Sequence, residues 1–429
     1  MDDLRKKYPV FSYDSFEIKQ ENSNVELGFR YSIGEDKIFK HTVCFHGLSE
    51  QFDSAVLKSY AFHVGLAEMF SYWKLTASPK IHVRAGMLSE DQIEWWKTLL
   101  LEGMGEYFYK NKIDFTQPDF VTIIADGVEH PIESLPETEK TNVLVPLGGG
   151  KDSIVTLELL LHESIPVTPI IVFPTTPASK KIVEQSNLED LITVDRVIDT
   201  ALIKLSKSGD YLNGHVPYSA SLAFIFLLAA SVQKIPYIAV SNERSSDEGN
   251  VEYHNKMINH QYSKTLAFEK SFQNYIHTWL KSDIHFFSFL RPLSELQIGK
   301  LFSSMTNYFS VFKSCNKNQQ QGSWCSTCPK CVSVALSISP WIGAEKIEEI
   351  MGTNPLDNPS NESLIESMID PEQVKPFECI VDTSEAKVCL EFIKEGRTSR
   401  VESFLKEWGD DSNIPSHLLK ILKRSYENA

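Results

Sequence analysis

Two groups of residues in this sequence have the types and spacing that chemistry requires. The first is Gly148-Gly149-Gly150-Lys151-Asp152-Ser153, set between the apolar run Val143 to Leu147 and the apolar helical pattern Ile154 to Leu161. A strand-length run that meets glycines and then a helical period predicts a sharp strand-to-helix turn. Glycines without Cβ atoms admit an anion to the backbone, and the helix start aims unpaired N–H groups at the same place. Lys151 adds a cation and Ser153 a hydroxyl, so the segment reads as a phosphate-binding turn. Asp152 beside a polyphosphate calls for a divalent cation between the two, which makes it the candidate magnesium ligand. The second group is Cys315, Cys325, Cys328 and Cys331, four thiolates at spacings that a tetrahedral zinc can gather. A closed four-thiolate set leaves no open position, so its expected role is structural, with redox or sulfur transfer as the rival.

Composition limits what surrounds these groups. The chain has 429 residues, a formal net charge of −15 and 42% hydrophobic residues, the profile of an ordinary globular protein of two or three domains. That charge argues against a broad nucleic-acid surface, while a small anion remains possible through a local cluster. The first residues, Met1 to Pro9, lack the apolar segment of a secretion signal. The long uncharged run Tyr211 to Gln233 is interrupted by polar residues and reads as a buried helix, not a membrane insertion. Seven cysteines with four clustered fit a metal site in a reducing compartment, so the cytoplasm is the expected location. Cys44, Cys379 and Cys389 are isolated and read as packing residues.

The elements that must position these groups follow from periodicity. Residues 1–135 read as an N-terminal α+β domain, with alternating strands at Phe16–Lys19, Val25–Tyr31 and Ile38–Phe45 and helices near 54–77 and 89–111. Their aromatics, Trp73, Trp96 and Tyr107 among them, read as core. Pro131 to Thr141 reads as a linker. From Val143, apolar strands at 143–147, 167–173, 192–198 and 237–240 alternate with helices at 178–186 and 217–233, which predicts a doubly wound parallel sheet over 140–312. Residues 313–429 read as the cysteine site followed by helices. In a doubly wound sheet ligands bind beyond the carboxyl ends of the strands. Two polar segments fall at that rim, Tyr211 to Pro217, with Asn213 and His215, and Ser241 to Asn250, with Asn242. There Glu243 could hold magnesium and Arg244 could face a phosphate or carboxylate. Met257 to Lys264, with His260, is predicted to open a helix. Arg291, at a strand end ahead of Pro292, is placed to fork onto a carboxylate.

A Walker A loop is excluded, since Val145 stands where its first Gly belongs and Asp152 where its Ser or Thr belongs. Gly148 to Ser153 instead resembles the Ser-Gly-Gly-x-Asp-Ser loop of the PP-loop ATP pyrophosphatases, whose fold is that of the adenine nucleotide alpha hydrolases. It departs at the first position, where Gly148 replaces Ser. A PP-loop followed by clustered cysteines is similar to the cyano-deazaguanine synthases. The fuller set points elsewhere: Gly148 to Ser153, Asn213 to Pro217, Ser241 to Ser245, Asn259 to Lys264, Arg291 to Glu295, Ser314 to Asn316, Trp324 to Cys331 and Lys375 to Cys379. Together these resemble the ATP-dependent UDP-N-acetylmuramoyl-L-alanyl-L-glutamate epimerases of peptidoglycan synthesis.

That resemblance implies conversion of the terminal L-Glu of UDP-MurNAc-L-Ala-L-Glu to D-Glu through an acyl-adenylate, with ATP cleaved to AMP and pyrophosphate. It implies ATP on Gly148 to Ser153, magnesium on Asp152, and structural zinc on the four cysteines. It also implies substrate contacts from Asn213, Asn242, Arg244 and Arg291. The two proton-transfer groups are to be chosen among His215, His260, Lys264 and Glu243. The competing readings are a PP-loop amide- or nitrile-forming ligase, a tRNA sulfur-transfer enzyme, and an ATP-binding module without catalysis.

Overall fold

The computed structural model describes residues 2–48, 54–132, 141–174 and 176–429. Its strands are β1 (Val10–Glu21), β2 (Asn24–Ile33), β3 (Lys37–His46), β4 (Lys80–Val83), β5 (Thr122–Ala125), β6 (Val143–Pro146), β7 (Val167–Val172), β8 (Ile192–Val197), β9 (Tyr237–Val240), β10 (Val251–Tyr253), β11 (Lys256–Ile258) and β12 (His285–Ser288). The chain forms two compact units, each assembled from separated segments. The first comprises Met1–Lys140, Ile192–Pro236 and Glu252–His285, and the second Thr141–Leu191, Tyr237–Val251 and Phe286–Ala429. Of the linker expected at Pro131 to Thr141, residues 133–140 lie outside the described residues.

In the first unit the sheet runs β8-β3-β2-β1-β4-β5. β1, β2, β3 and β8 pair antiparallel in that order, while β4 lies parallel to both β1 and β5. Alternation fixes the register: Val25, Leu27, Phe29, Tyr31 and Ile33 of β2 are all buried, and a slip of one residue would turn them to solvent. The two helical stretches expected here each break near their end, into Ser54–Glu68 with Phe70–Trp73 and into Glu90–Gly103 with Gly105–Lys110. Trp73, Trp96 and Tyr107 are fully buried, as core aromatics should be. The helix Tyr218–Val232 is apolar on every side and buried almost throughout. Among the described residues, no helix is long and apolar enough to cross a membrane. The helix expected to open within Met257 to Lys264 starts later, at Leu266, where Thr265 caps it through the Phe268 N–H. Met257 and Ile258 belong to β11, and Tyr262–Lys264 is a single 3-10 turn.

In the second unit the sheet order is β12-β9-β6-β7, and β6 is parallel to both β7 and β9. The chain leaves β6 toward β7 on one side and returns to β9 on the other. β6 is therefore the point where strand order reverses, the position at which open α/β sheets bind ligands beyond the strand ends. The three glycines follow β6 directly. The last two cysteines cap and enter the helix Pro329–Ile342, which is followed by the helices Ala344–Met351, Glu362–Ile369, Thr383–Glu395, Ser399–Leu405 and Ser416–Asn428.

Candidate functional site

In the second unit, the turn after β6 has the predicted form. Gly149 has φ +95°, a conformation L side chains rarely adopt, and Gly150 is the N-cap of the helix Lys151–His162 without a side-chain cap. Three residues from the cysteine segment brace the glycines. Gln319 donates to the Gly148 carbonyl at 3.1 Å, the Lys313 N–H donates to the Gly149 carbonyl at 2.8 Å, and a Cβ on Gly150 would meet Ser314 Oγ at 2.8 Å. Since C=O and the next N–H point opposite ways across a trans peptide, holding these carbonyls turns the Gly149 and Gly150 N–H groups to the other side. A Cβ on Gly148 would meet nothing within 4 Å, so the Ser of the PP-loop pattern would fit there sterically.

Lys151 does not extend into solvent. Its ammonium is buried between Asp152 and Glu295, and Lys330 Nζ reaches the other oxygen of Glu295 at 3.5 Å. Glu295 is placed by a capping box, in which Ser294 and Gln297 satisfy each other's backbone N–H groups at the start of the helix Glu295–Ser303. Burial alone would raise the Glu295 carboxyl, but Lys151 and Lys330 outweigh it and hold it at about 2. Asp152 moves the other way: burial raises it, Glu295 and Glu243 add to that, and Lys151 and Lys330 oppose them. Three carboxylates thus face two ammonium groups, an excess of negative charge that fits a cation at Asp152.

Glu243 is buried and accepts from Ser245 Oγ at 2.8 Å. Arg291, 2% exposed, spans the loop that follows β9: it donates to the Glu243 carbonyl at 3.0 Å, Ser246 Oγ at 2.9 Å and Ser288 Oγ at 3.1 Å. Asn242 donates to the same Ser288 Oγ at 3.0 Å, and Arg244 pairs with Glu407 at 3.2 Å.

The four cysteine sulfurs lie within 4.8 Å of one another, with Cys315–Cys328, Cys325–Cys331 and Cys328–Cys331 separations of 4.0, 3.9 and 3.4 Å. A tetrahedron of zinc–sulfur bonds of about 2.3 Å requires sulfur separations near 3.8 Å, so the set fits zinc. Cys315, Cys328 and Cys331 are fully buried. Lys330, which reaches Glu295, is the residue between Pro329 and Cys331.

In the first unit, His215 and His260 come together on a residue the sequence reading missed, Glu106. Its Oε2 lies 3.6 Å from His215 Nδ1 and 3.4 Å from His260 Nδ1, and the two rings are 5.4 Å apart. Glycines make this approach possible. A Cβ on Gly103 would lie 2.7 Å from Pro217, and one on Gly105 would lie 3.0 Å from Ile258. Both segments that carry the histidines can therefore press against the turn that carries Glu106. Lys110, one helical turn after Glu106, pairs with its Oε1. Burial pushes the His215 imidazole down to about 4; Glu106 opposes this, while His260, Lys264 and Lys110 reinforce it. Asn213 sits beside this group, its carbonyl accepting from Asn111 at 2.9 Å. A carboxylate on an otherwise aromatic, buried turn, with Lys at i+4, was the one local signal that could have drawn attention to Glu106.

Residues 2–289 match the family description MurL N-terminal domain, and residues 311–417 match MurL C-terminal domain. The chain belongs to the MurL family. A UDP-N-acetyl-alpha-D-muramoyl-L-alanyl-L-glutamate epimerase of Xanthomonas oryzae pv. oryzae is 29% identical over 351 residues, 80% of this chain and 74% of that protein. MurL relatives bearing the same name in Salinispora tropica and a Micromonospora species are 29% and 30% identical over 332 and 329 residues, each covering 76% of this chain and 71% and 72% of the relative.

Proposed function

We propose that this MurL chain inverts the terminal L-Glu of UDP-MurNAc-L-Ala-L-Glu to D-Glu, consuming ATP to AMP and pyrophosphate through an acyl-adenylate. The braced glycine turn beside the Lys151–Glu295–Lys330 cluster carries this reading. It follows the PP-loop pattern except at Gly148, where Ser is usual, and its chemistry explains the need for ATP. Removing the α-proton next to a carboxylate would place a second negative charge on that group. Adenylation neutralises the carboxylate, so the developing enolate oxygen can be stabilised by placed donors.

In this reading Gly148 to Ser153 receive the phosphates, Lys151 and Lys330 offset their charge, and Asp152, with Glu243 near it, holds magnesium. Arg291 acts through the loop it braces, and Arg244 is the candidate for a substrate anion. In the first unit His215 and His260 exchange the α-proton on opposite faces, with Asn213 and Lys264 as further polar groups there; in the second, Asn242 is a candidate substrate contact. Zinc on Cys315, Cys325, Cys328 and Cys331 is structural. ATP use and free thiolates both suit the cytoplasm.

The test is incubation of the protein with ATP, magnesium and UDP-MurNAc-L-Ala-L-Glu, following pyrophosphate and the chirality of the released glutamate. D-Glu and pyrophosphate are expected only when all three are present. Pyrophosphate without inversion would overturn the epimerase in favour of an adenylating ligase. Neither product would leave an ATP-binding module.

A further inference from the structure

The helix Glu295–Ser303 carries charged groups on two sides. Glu295 faces Lys151 and Lys330, whereas Lys300, five residues on, lies roughly 140° around the helix axis and is turned away from that cluster. There Lys300 lines a cavity of about 430 Å³ in the second unit, together with residues of the segment 397–408 and of the helix Ser416–Asn428.

The lining combines cations with aromatic rings. Lys300, Arg397, Lys406 and Lys423 contribute positive charge, and Trp408 and Tyr426 contribute ring surface, with 6.2 Å between their centroids. Glu402 and Glu427 are the carboxylates of the wall. Glu402 pairs with Arg397 at 3.4 Å, and Asp411, which accepts from the Trp408 indole at 2.9 Å, pairs with Lys423 at 2.9 Å. Among the described residues this leaves one positive charge in excess, on a chain whose formal net charge is −15. Lys300 is half-buried and has no ion pair among the described residues; its ammonium rests over the Tyr426 ring, 4.7 Å from the centroid. Burial lowers its pKa, and Arg397 adds to that against Glu402.

The rings are held before any ligand arrives. Tyr426 donates to the Leu405 carbonyl at 2.7 Å, and Gln297 fixes the same segment by donating to the Leu405 and Glu407 carbonyls at 3.1 and 2.8 Å. An unpaired ammonium beside fixed ring surface matches a molecule that carries an anion on a flat ring. Several cations around one space favour a phosphate ester, with three acceptor oxygens and a charge of about −1.5 to −2. A bare inorganic anion would leave the rings uncovered, and an uncharged ring would leave Lys300 uncompensated.

We propose that this cavity is a second ligand site, which takes a nucleoside monophosphate with its phosphate on Lys300 and Lys406 and its base against Trp408 and Tyr426. The site is separate from the glycine turn and stands whether or not the chain is an epimerase. Gln297, which holds its floor, also completes the capping box that places Glu295, so the two sites share one helix.

The test uses the full chain, with tryptophan indoles labelled with nitrogen-15 and UMP as the probe. The Trp408 signal, assigned by its loss in Trp408→Phe, should move as UMP is added. The Trp324 signal should stay, since Trp324 lies under Lys313, which braces Gly149, and so reports on the glycine turn. Lys300→Gln and Lys406→Gln should each weaken UMP binding about tenfold or more, with the Trp324 signal unchanged as the sign of an intact fold. Uridine and inorganic phosphate, each one part of the probe, should both bind at least about tenfold more weakly than UMP. A Trp408 signal that stays in place at millimolar UMP would overturn the site, as would movement of Trp324 in place of Trp408. Phosphate as effective as UMP, or an affinity indifferent to both lysine substitutions, would overturn the nucleotide assignment.

Discussion

At the scale of single residues, Lys151 and His215 sit in environments that dictate what their replacement does. Lys151 compensates Glu295 and Asp152, with its own ammonium and the Glu295 carboxylate buried. Lys151→Met should therefore cost on the order of 3–5 kcal/mol, since Asp152 loses its ammonium partner and Glu295 keeps only Lys330. In the double variant Lys151→Met with Glu295→Met, thermal melting should recover much of that loss while pyrophosphate release stays absent. Equal loss in the single and double variants would mean that the pair carries no such coupling. His215, held neutral down to about pH 4, should keep its acceptor form through the whole range in which an ordinary histidine protonates. The acid limb of inversion attributable to His215 is then expected well below pH 6.5. His215→Ala should fold normally and lose about 10²- to 10⁴-fold in inversion, measured by α-deuterium uptake. Near-normal uptake would remove His215 from the chemistry.

At the scale of elements, the helix Glu295–Ser303 is held at its first turn by two buried acids with opposite behaviour. Glu295 stays ionised, whereas burial, aided by Asp382 and Glu295, pushes Glu385 up to about 8. Glu385 Oε1 accepts the Leu296 N–H at 2.6 Å, and Oε2 has no partner among the described residues, which suits a protonated acid. The folded state binds the proton more tightly than the unfolded chain, so the stabilisation is complete below the ordinary Glu range and is lost as pH rises toward 8. Glu385→Gln keeps the acceptor and removes the ionisation. It should stabilise the fold at pH 8 by on the order of a few kcal/mol, read as a raised melting temperature, and by far less at pH 5. A melting difference independent of pH would show that Glu385 is not titrating.

The fold and the site were legible where the code is local. The glycine turn after Val143 to Pro146, the cysteine spacing and the apolar helix Tyr218–Val232 are written in neighbouring residues, and the structure forms each of them. Glu106 was not legible, because nothing near Gly105–Lys110 announces that Pro217 and Ile258 will press two histidines against it. Glu295 and Lys330 stood inside motifs that had been noticed, but only tertiary packing makes them partners of Lys151. The antiparallel pairing of β8 with β3 was hidden for the same reason, since period-2 patterns name a strand's faces and not its neighbours.

At the scale of the molecule, each unit depends on distant stretches of chain. The first unit borrows β8 to pair with β3 and the helix Tyr218–Val232 to cover Ser54–Glu68. A fragment ending at Lys140 would expose both surfaces, so it should show no cooperative melting by circular dichroism. A sharp transition in that fragment would contradict the interdependence. The second unit should carry one zinc per chain by elemental analysis. Its removal with a strong chelator should lower the melting temperature and weaken ATP binding together, because Lys313, Ser314 and Gln319 brace the glycines from within the cysteine segment. Loss of metal with ATP binding intact would separate the two.

Lys330 stands in the sequence Cys328-Pro329-Lys330-Cys331, so the segment that anchors two sulfurs also delivers the ammonium that meets Glu295. Oxidation of those thiols, by peroxide or hypochlorite for instance, would release both at once. Under the proposed function, such damage would remove the metal and the ammonium beside the glycine turn in one event, so ATP consumption and zinc would be lost together.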